Sequence, residues 1–149
     1  MGYSVKFEDE LKIAKVFGKN LRISPKHARE ICRELREKRL SYAKKYLEEV
    51  TEMKRAVPFR RYRKKMGHKK LYKWDAGRYP VKASKRILKL LGEVESNAEY
   101  KGLDPDKLRI IHISAYKGFI IPGWIPRAYG RATSFNEYTT NVEVVVEEV

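Results

Sequence analysis

Any chemistry done by this chain has to come from its lysines and arginines. Thirty-four of its 149 residues are Lys or Arg against 19 Asp or Glu, a net charge of +15. The excess is concentrated: residues 54–89 hold fifteen Lys or Arg and a single acid, Asp75, for a net +14, which leaves +1 for the other 113 residues. There Arg60, Arg61, Arg63, Lys64, Lys65, Lys69, Lys70 and Arg78 interleave with Phe59, Tyr62, Tyr72, Trp74 and Tyr79, and Lys85 follows. Cations neutralise phosphates, aromatic faces stack on unpaired bases, and arginine does both. A solvated charged loop is the bland alternative, but a disordered linker has little use for five rings that avoid water. The pattern therefore points to RNA. Duplex DNA fits less well, because neither amphipathic helix upstream has helix-turn-helix geometry with base-reading side chains.

A second constellation lies at residues 122–131, PGWIPRAYGR, between two apolar runs. Residues 107–136 contain no acid, while Lys107, Arg109, Lys117, Arg127 and Arg131 are basic. Gly123, Pro122, Pro126 and Gly130 make this the turn region of a strand pair. Arg127 and Arg131 can reach different phosphates from one tip. Trp124 and Ile125, beside Gly123, are apolar groups that a turn would push outward, and Tyr129 and Gly130 belong to the same tip. Arms of 12–16 residues would run about 40–50 Å. A compact chain of this length has a radius of gyration of roughly 15 Å. The tip should therefore outrun the body, and an acid-free finger with no core of its own belongs inside a polyanion. A protein-binding or dimerisation arm is the alternative.

Other chemistry is missing. His27, His68 and His112 share no metal-type spacing with each other or with Cys32, which falls on a helix's apolar stripe. Gly118, Gly123 and Gly130 match no phosphate-cradling loop. Glu93, Glu95 and Glu99 surround a helix rather than converge. No enzyme, cofactor or metal is expected.

Certain elements must hold the cations in place. Residues 15–23 read as a short strand interrupted at Gly18. Ser24-Pro25 opens a helix with Ala28, Ile31, Cys32 and Leu35 on one stripe, and Leu40, Ala43, Leu47 and Val50 repeat the pattern. Ala83, Ile87, Leu90, Leu91, Val94 and Ala98 mark a helix of about five turns, with Gly102 as its C-cap and Pro105 beyond. Residues 54–79, by contrast, show no apolar period and read as an extended segment. Leu108, Ile110, Ile111 and Ile113 begin one arm of the finger, and Val142, Val144, Val145 and Val146 end the other, with Glu143 and Glu147 turned away from the Val142/Val144/Val146 row. The bases of both arms should be sheet strands packed on helices. One domain over residues 1–149 is expected, with a hairpin at 107–148. No apolar run approaches the roughly 20 residues of a membrane span, and the start, MGYSVKFEDE, lacks a signal peptide's apolar core, so a soluble, cytoplasmic chain is expected.

Five stretches, LRISPKHAR, AVPFRRY, GRYPVKAS, ESNAEYKGLD and PRAYGRA, occur in an order and spacing that resemble large-subunit ribosomal protein family twenty-two of the universal naming, in its archaeal and eukaryotic form. The resemblance covers almost the whole chain. It implies an α+β fold: three helices packed on a small three-stranded antiparallel sheet, with a long protruding β-hairpin. It also implies a structural role in the large ribosomal subunit, binding large-subunit ribosomal RNA beside neighbouring ribosomal proteins and aiding assembly. By the same resemblance the tip, Gly123 to Arg131, lines the tunnel by which the nascent polypeptide leaves. The family's tip motif falls on Pro126, Arg127, Ala128, Tyr129, Gly130 and Arg131, with Arg127 and Arg131 as RNA contacts. The rival reading is an RNA-binding or RNA-chaperone module acting off the ribosome.

Overall fold

Val142, Val144 and Val146 alternate along the last strand, and the core is assembled on the side they face. The computed structural model describes residues 3–7, 11–69 and 75–149. In chain order these form β1 (Ile13–Leu21), α1 (Pro25–Leu35), α2 (Leu40–Thr51), β2 (Val57–Pro58), β3 (Gly77–Arg78), α3 (Val81–Tyr100), β4 (Leu108–Ile121), β5 (Trp124–Pro126), β6 (Ala132–Ser134) and β7 (Glu137–Glu148). β7 is the centre of an antiparallel sheet of order β1-β7-β4. Its register runs from Ile13↔Glu147 to Leu21↔Thr140 on one side and from Leu108↔Glu148 to Ile121↔Glu137 on the other. The fold is α+β, with three helices among the described residues.

The helices bury the stripes that their spacing predicts. Ala28, Ile31, Cys32 and Leu35 of α1, Leu40, Ala43, Leu47 and Val50 of α2, and Ala83, Ile87, Leu90, Leu91, Val94 and Ala98 of α3 all join the core. An ion pair between Lys44 and Glu95 adds a tie between α2 and α3. Ser24 stands at the N-cap of α1 with Pro25 next, but its hydroxyl makes no capping bond. α3 ends as expected: Gly102 has φ +78, its N–H donates to Glu99 O at 2.9 Å, and Leu103 N–H donates to Ala98 O at 3.0 Å. This is a Schellman closure, which a left-handed glycine permits without strain. The interruption at Gly18 is a break in register between Gly18 and Leu21. A Cβ there would lie 2.8 Å from Leu90 Cδ1, so α3 packs directly on the strand.

The other face of the sheet differs from a solvated one. Glu143 does face away from the valine row, yet it is 0% exposed. It accepts hydrogen bonds from the Ser4 backbone N–H at 3.1 Å, from the Ser4 hydroxyl and from Ser114 Oγ at 2.8 Å, and lies 3.0 Å from His112 Nε2. Residues 3–7 thus cover this face, and the rings of Tyr3 and Phe7 approach Phe17 and His112 edge-on or tilted.

The turn region also comes out smaller than 122–131. β5 pairs with β6, Trp124↔Ser134 to Pro126↔Ala132, so the ladder resumes past Pro122 and only residues 127–131 turn. Tyr129 (φ 60) and Gly130 (φ 65) are left-handed, and Arg127 N–H donates to Arg131 O at 2.8 Å. Gly123 lies not in that turn but at the junction between the two ladders. Its carbonyl accepts from Phe135 N–H at 2.6 Å, and an added Cβ would meet Phe135 O at 2.5 Å.

Candidate nucleic-acid interface

The basic segment starts and ends at one place. β2 pairs with β3, and Phe59 N–H donates to Ala76 O at 3.0 Å, which closes the loop at its base. Ala56, Val57, Phe59 and Ala76 are buried there because the loop root caps the core. Phe59 is therefore not an RNA-stacking ring: it is 2% exposed, and the His27 ring meets it edge-on at 5.4 Å. His27 is half-buried, and burial together with the Arg78 charge pushes its pKa down. Tyr62 and Tyr79 are half-buried and already carry cations on their faces, Arg61 at 5.7 Å and Lys69 at 5.2 Å from the ring centroids. At Tyr62 and Tyr79 the interleaving serves cation–π packing of the loop itself. Lys70, Tyr72 and Trp74 lie outside the described residues.

The cations themselves are outside. Arg60, Arg61, Arg63, Lys64, Lys65, Arg78 and Lys85 are exposed, and Lys69 is half-buried. Arg60 reaches half-buried Glu34 at 3.8 Å and Arg63 reaches exposed Asp75 at 4.0 Å, both long contacts of little energetic weight. On the hairpin, Lys117 sits 5.1 Å over the Tyr138 ring, while Arg127 Nε donates to Thr133 Oγ1 at 3.3 Å. Arg131 is exposed, as is every residue from Pro126 to Tyr138. Trp124 is 72% and Tyr129 95% exposed, and Ile125 is half-buried. The fold therefore groups the predicted cations into two sets, one on the loop and α3 and one on the hairpin.

Sequence reading missed a third set. Arg29 and Arg33 stand one turn apart on the polar side of α1, and Arg36 is the residue that caps its C-terminus. With Arg61 they line a cleft of ≈ 510 Å³ floored by Ile113 to Tyr116 of β4. The i, i+4 spacing of Arg29 and Arg33 is legible in the sequence, but their meeting with Arg61 depends on how the loop packs. Cys32 lies behind this cluster; burial pushes its thiol up to about 12, so it stays protonated and inert.

Comparison with known proteins settles the family. A family profile described as Ribosomal protein L22p/L17e matches residues 16–147. The chain belongs to this family. It is 55% identical to the large ribosomal subunit protein uL22 of Methanopyrus kandleri over 142 residues, 94% of this chain and 89% of that one. To the protein of the same name from Archaeoglobus fulgidus it is 53% identical over 148 residues, covering 99% of this chain and 96% of its relative. The Methanocaldococcus jannaschii protein is 50% identical over 147 residues, 98% of this chain and 94% of its own. Family membership makes the chain a ribosomal protein and not an enzyme, and the expected resemblance holds over nearly its full length. No helix among the described residues is long and apolar enough to cross a membrane.

Proposed function

We propose that this chain is a cytoplasmic structural constituent of the large ribosomal subunit that binds large-subunit rRNA, aids assembly and places its hairpin tip at the wall of the nascent-peptide tunnel. The observation that carries this reading is the hairpin beyond the body. Residues 126–136 are exposed and free of acid, with Arg127, Arg131, Trp124 and Tyr129 at the end. Apolar rings so exposed, on a strand pair with no core, need a partner that covers part of them. RNA phosphates suit Arg127 and Arg131, and a passing peptide suits Trp124, Ile125 and Tyr129, with Gly123, Pro126 and Gly130 shaping the tip. Arg60, Arg61, Arg63, Lys64, Lys65, Lys69, Lys70, Trp74, Arg78, Lys85 and Lys117 supply further RNA contacts in this reading, which treats residues 1–149 as one ribosomal-protein domain flanked by other ribosomal proteins.

Two variants separate docking from tunnel lining. Arg127→Ala with Arg131→Ala should slow large-subunit maturation, whereas Trp124→Ala should leave subunit profiles normal and change nascent-chain stalling. Sedimentation after a high-salt wash should keep the wild-type chain with the large subunit. A chain washed off into the soluble fraction would remove the ribosomal reading, and normal assembly of the double arginine variant would remove the tip's docking role.

A further inference from the structure

The arginine cluster at α1 has a feature that ordinary solvated helices lack: Glu30, the acid that lines its cleft, is buried and fully committed. Glu30 is 1% exposed. Its Oε1 accepts from the backbone N–H of Arg61 at 2.8 Å and of Tyr62 at 2.9 Å, and its Oε2 from that of Arg60 at 3.2 Å. A carboxylate removed from water is tolerated when hydrogen bonds replace the lost hydration, and three converging N–H groups do that here. The consequence falls on the loop. Residues 60–62 are held against α1, and the Tyr62 hydroxyl is held a second time, accepting from Arg29 Nη1 at 2.8 Å. That turn sets the Arg61 side chain into the cleft with Arg29, Arg33 and Arg36. Arg33 and Arg36 are exposed and have no ion-pair partner among the described residues. Four guanidinium groups thus line one cleft, and Glu30, the acid among its described lining residues, is used up inside.

We propose that the cleft between α1, β4 and residues 60–62 is a phosphate-binding site for the RNA backbone, with Glu30 as its positioning residue. The inference rests on the RNA-binding reading above and adds a site that shares Arg61 with the loop and is separate from the hairpin tip. Guanidinium forks match phosphate oxygens in a paired geometry, and a cleft of ≈ 510 Å³ has room for a phosphodiester among them. Glu30 acts through the backbone, so a negative side chain strengthens the binding of a polyanion.

The sign of that effect gives the test. Affinity of the full chain for a large-subunit rRNA transcript is measured over a salt series. Arg33→Gln with Arg36→Gln should lower the salt slope by about 1.4–1.8, at roughly 0.7–0.9 per phosphate contact. Glu30→Gln removes a negative charge and should bind more tightly if the acid acts only by its field; the proposal expects affinity to fall about tenfold. Should Glu30→Gln cost the fold, Glu30→Asp, which keeps the charge but shortens its reach, must also weaken binding. An unchanged slope in the arginine pair overturns the site, and tighter binding by Glu30→Gln or unchanged binding by Glu30→Asp overturns the positioning role. Both failures differ from failure of the RNA reading, in which the wild-type chain would itself show no salt-dependent affinity for the transcript.

Discussion

Two buried carboxylates, Glu30 and Glu143, do structural work by accepting hydrogen bonds from distant segments of the chain. Glu143 is the one whose titration can be followed. Burial raises its pKa, but the hydrogen bonds from Ser4, His112 and Ser114 outweigh it and hold the carboxyl below its usual value of 4.5. In the window between the folded value and 4.5 the unfolded chain binds the extra proton, so stability rises with pH there. The contribution is complete above 4.5 and is lost as pH falls through the folded pKa. Glu143→Gln should lower the thermal midpoint at pH 7, leaving Ser4 with a weaker acceptor, and should flatten the acid limb of midpoint against pH below 4.5. A variant with the same acid limb as wild type would show that residues 3–7 do not depend on the charge.

At the scale of elements, the hairpin is two ladders joined by a pinched segment. Gly123 closes that segment because its missing side chain lets the backbone of Phe135 approach. Gly123→Ala must push Phe135 away, since the clash is with backbone and no rotamer relieves it. The β5–β6 ladder should lose register with α1, α2, α3 and the body sheet untouched. Amide exchange checks this: protection at Ile125 and Thr133 should fall at least tenfold, with Ile87 to Val94 unchanged and the unfolding midpoint within a degree or two, because the residues released are already exposed. Equal loss of protection in α3 would mean that the hairpin and the body unfold together.

For the molecule as a whole, charge and fold pull in different directions. A net +15 on a body of this size repels itself, and the core formed by β1, β7, β4 and the three helices must hold against it. Added salt should therefore raise the unfolding midpoint of the free chain while weakening its RNA complex, two opposite responses from one cause. Arg60→Ala, Arg61→Ala and Arg63→Ala together should reduce the salt slope of RNA binding by about 2 to 3. The free variant should gain stability on the salt-poor side, having less repulsion to overcome. Thermal scans and binding titrations over the same salt series read both. A triple variant with the wild-type slope would assign the RNA contacts to the α1 cluster, α3 and hairpin alone.

The sequence by itself determined the elements and the family. Apolar spacing marked the buried stripes of α1, α2 and α3, since a helix must bury one face. Gly102 and Pro105 marked the end of α3, and the acid-free run from 107 to 136 marked the hairpin. Five collinear stretches identified the relatives. Tertiary structure alone decided what the polar groups do. Nothing local distinguishes Glu30, buried with three N–H donors from residues thirty or more positions away, from Glu34, half-buried one turn later. Nor could composition tell that Phe59 seals the core while Arg61 enters a cleft. Those assignments depend on which segments pack together, and burial is a property of the packed chain rather than of any one stretch of it.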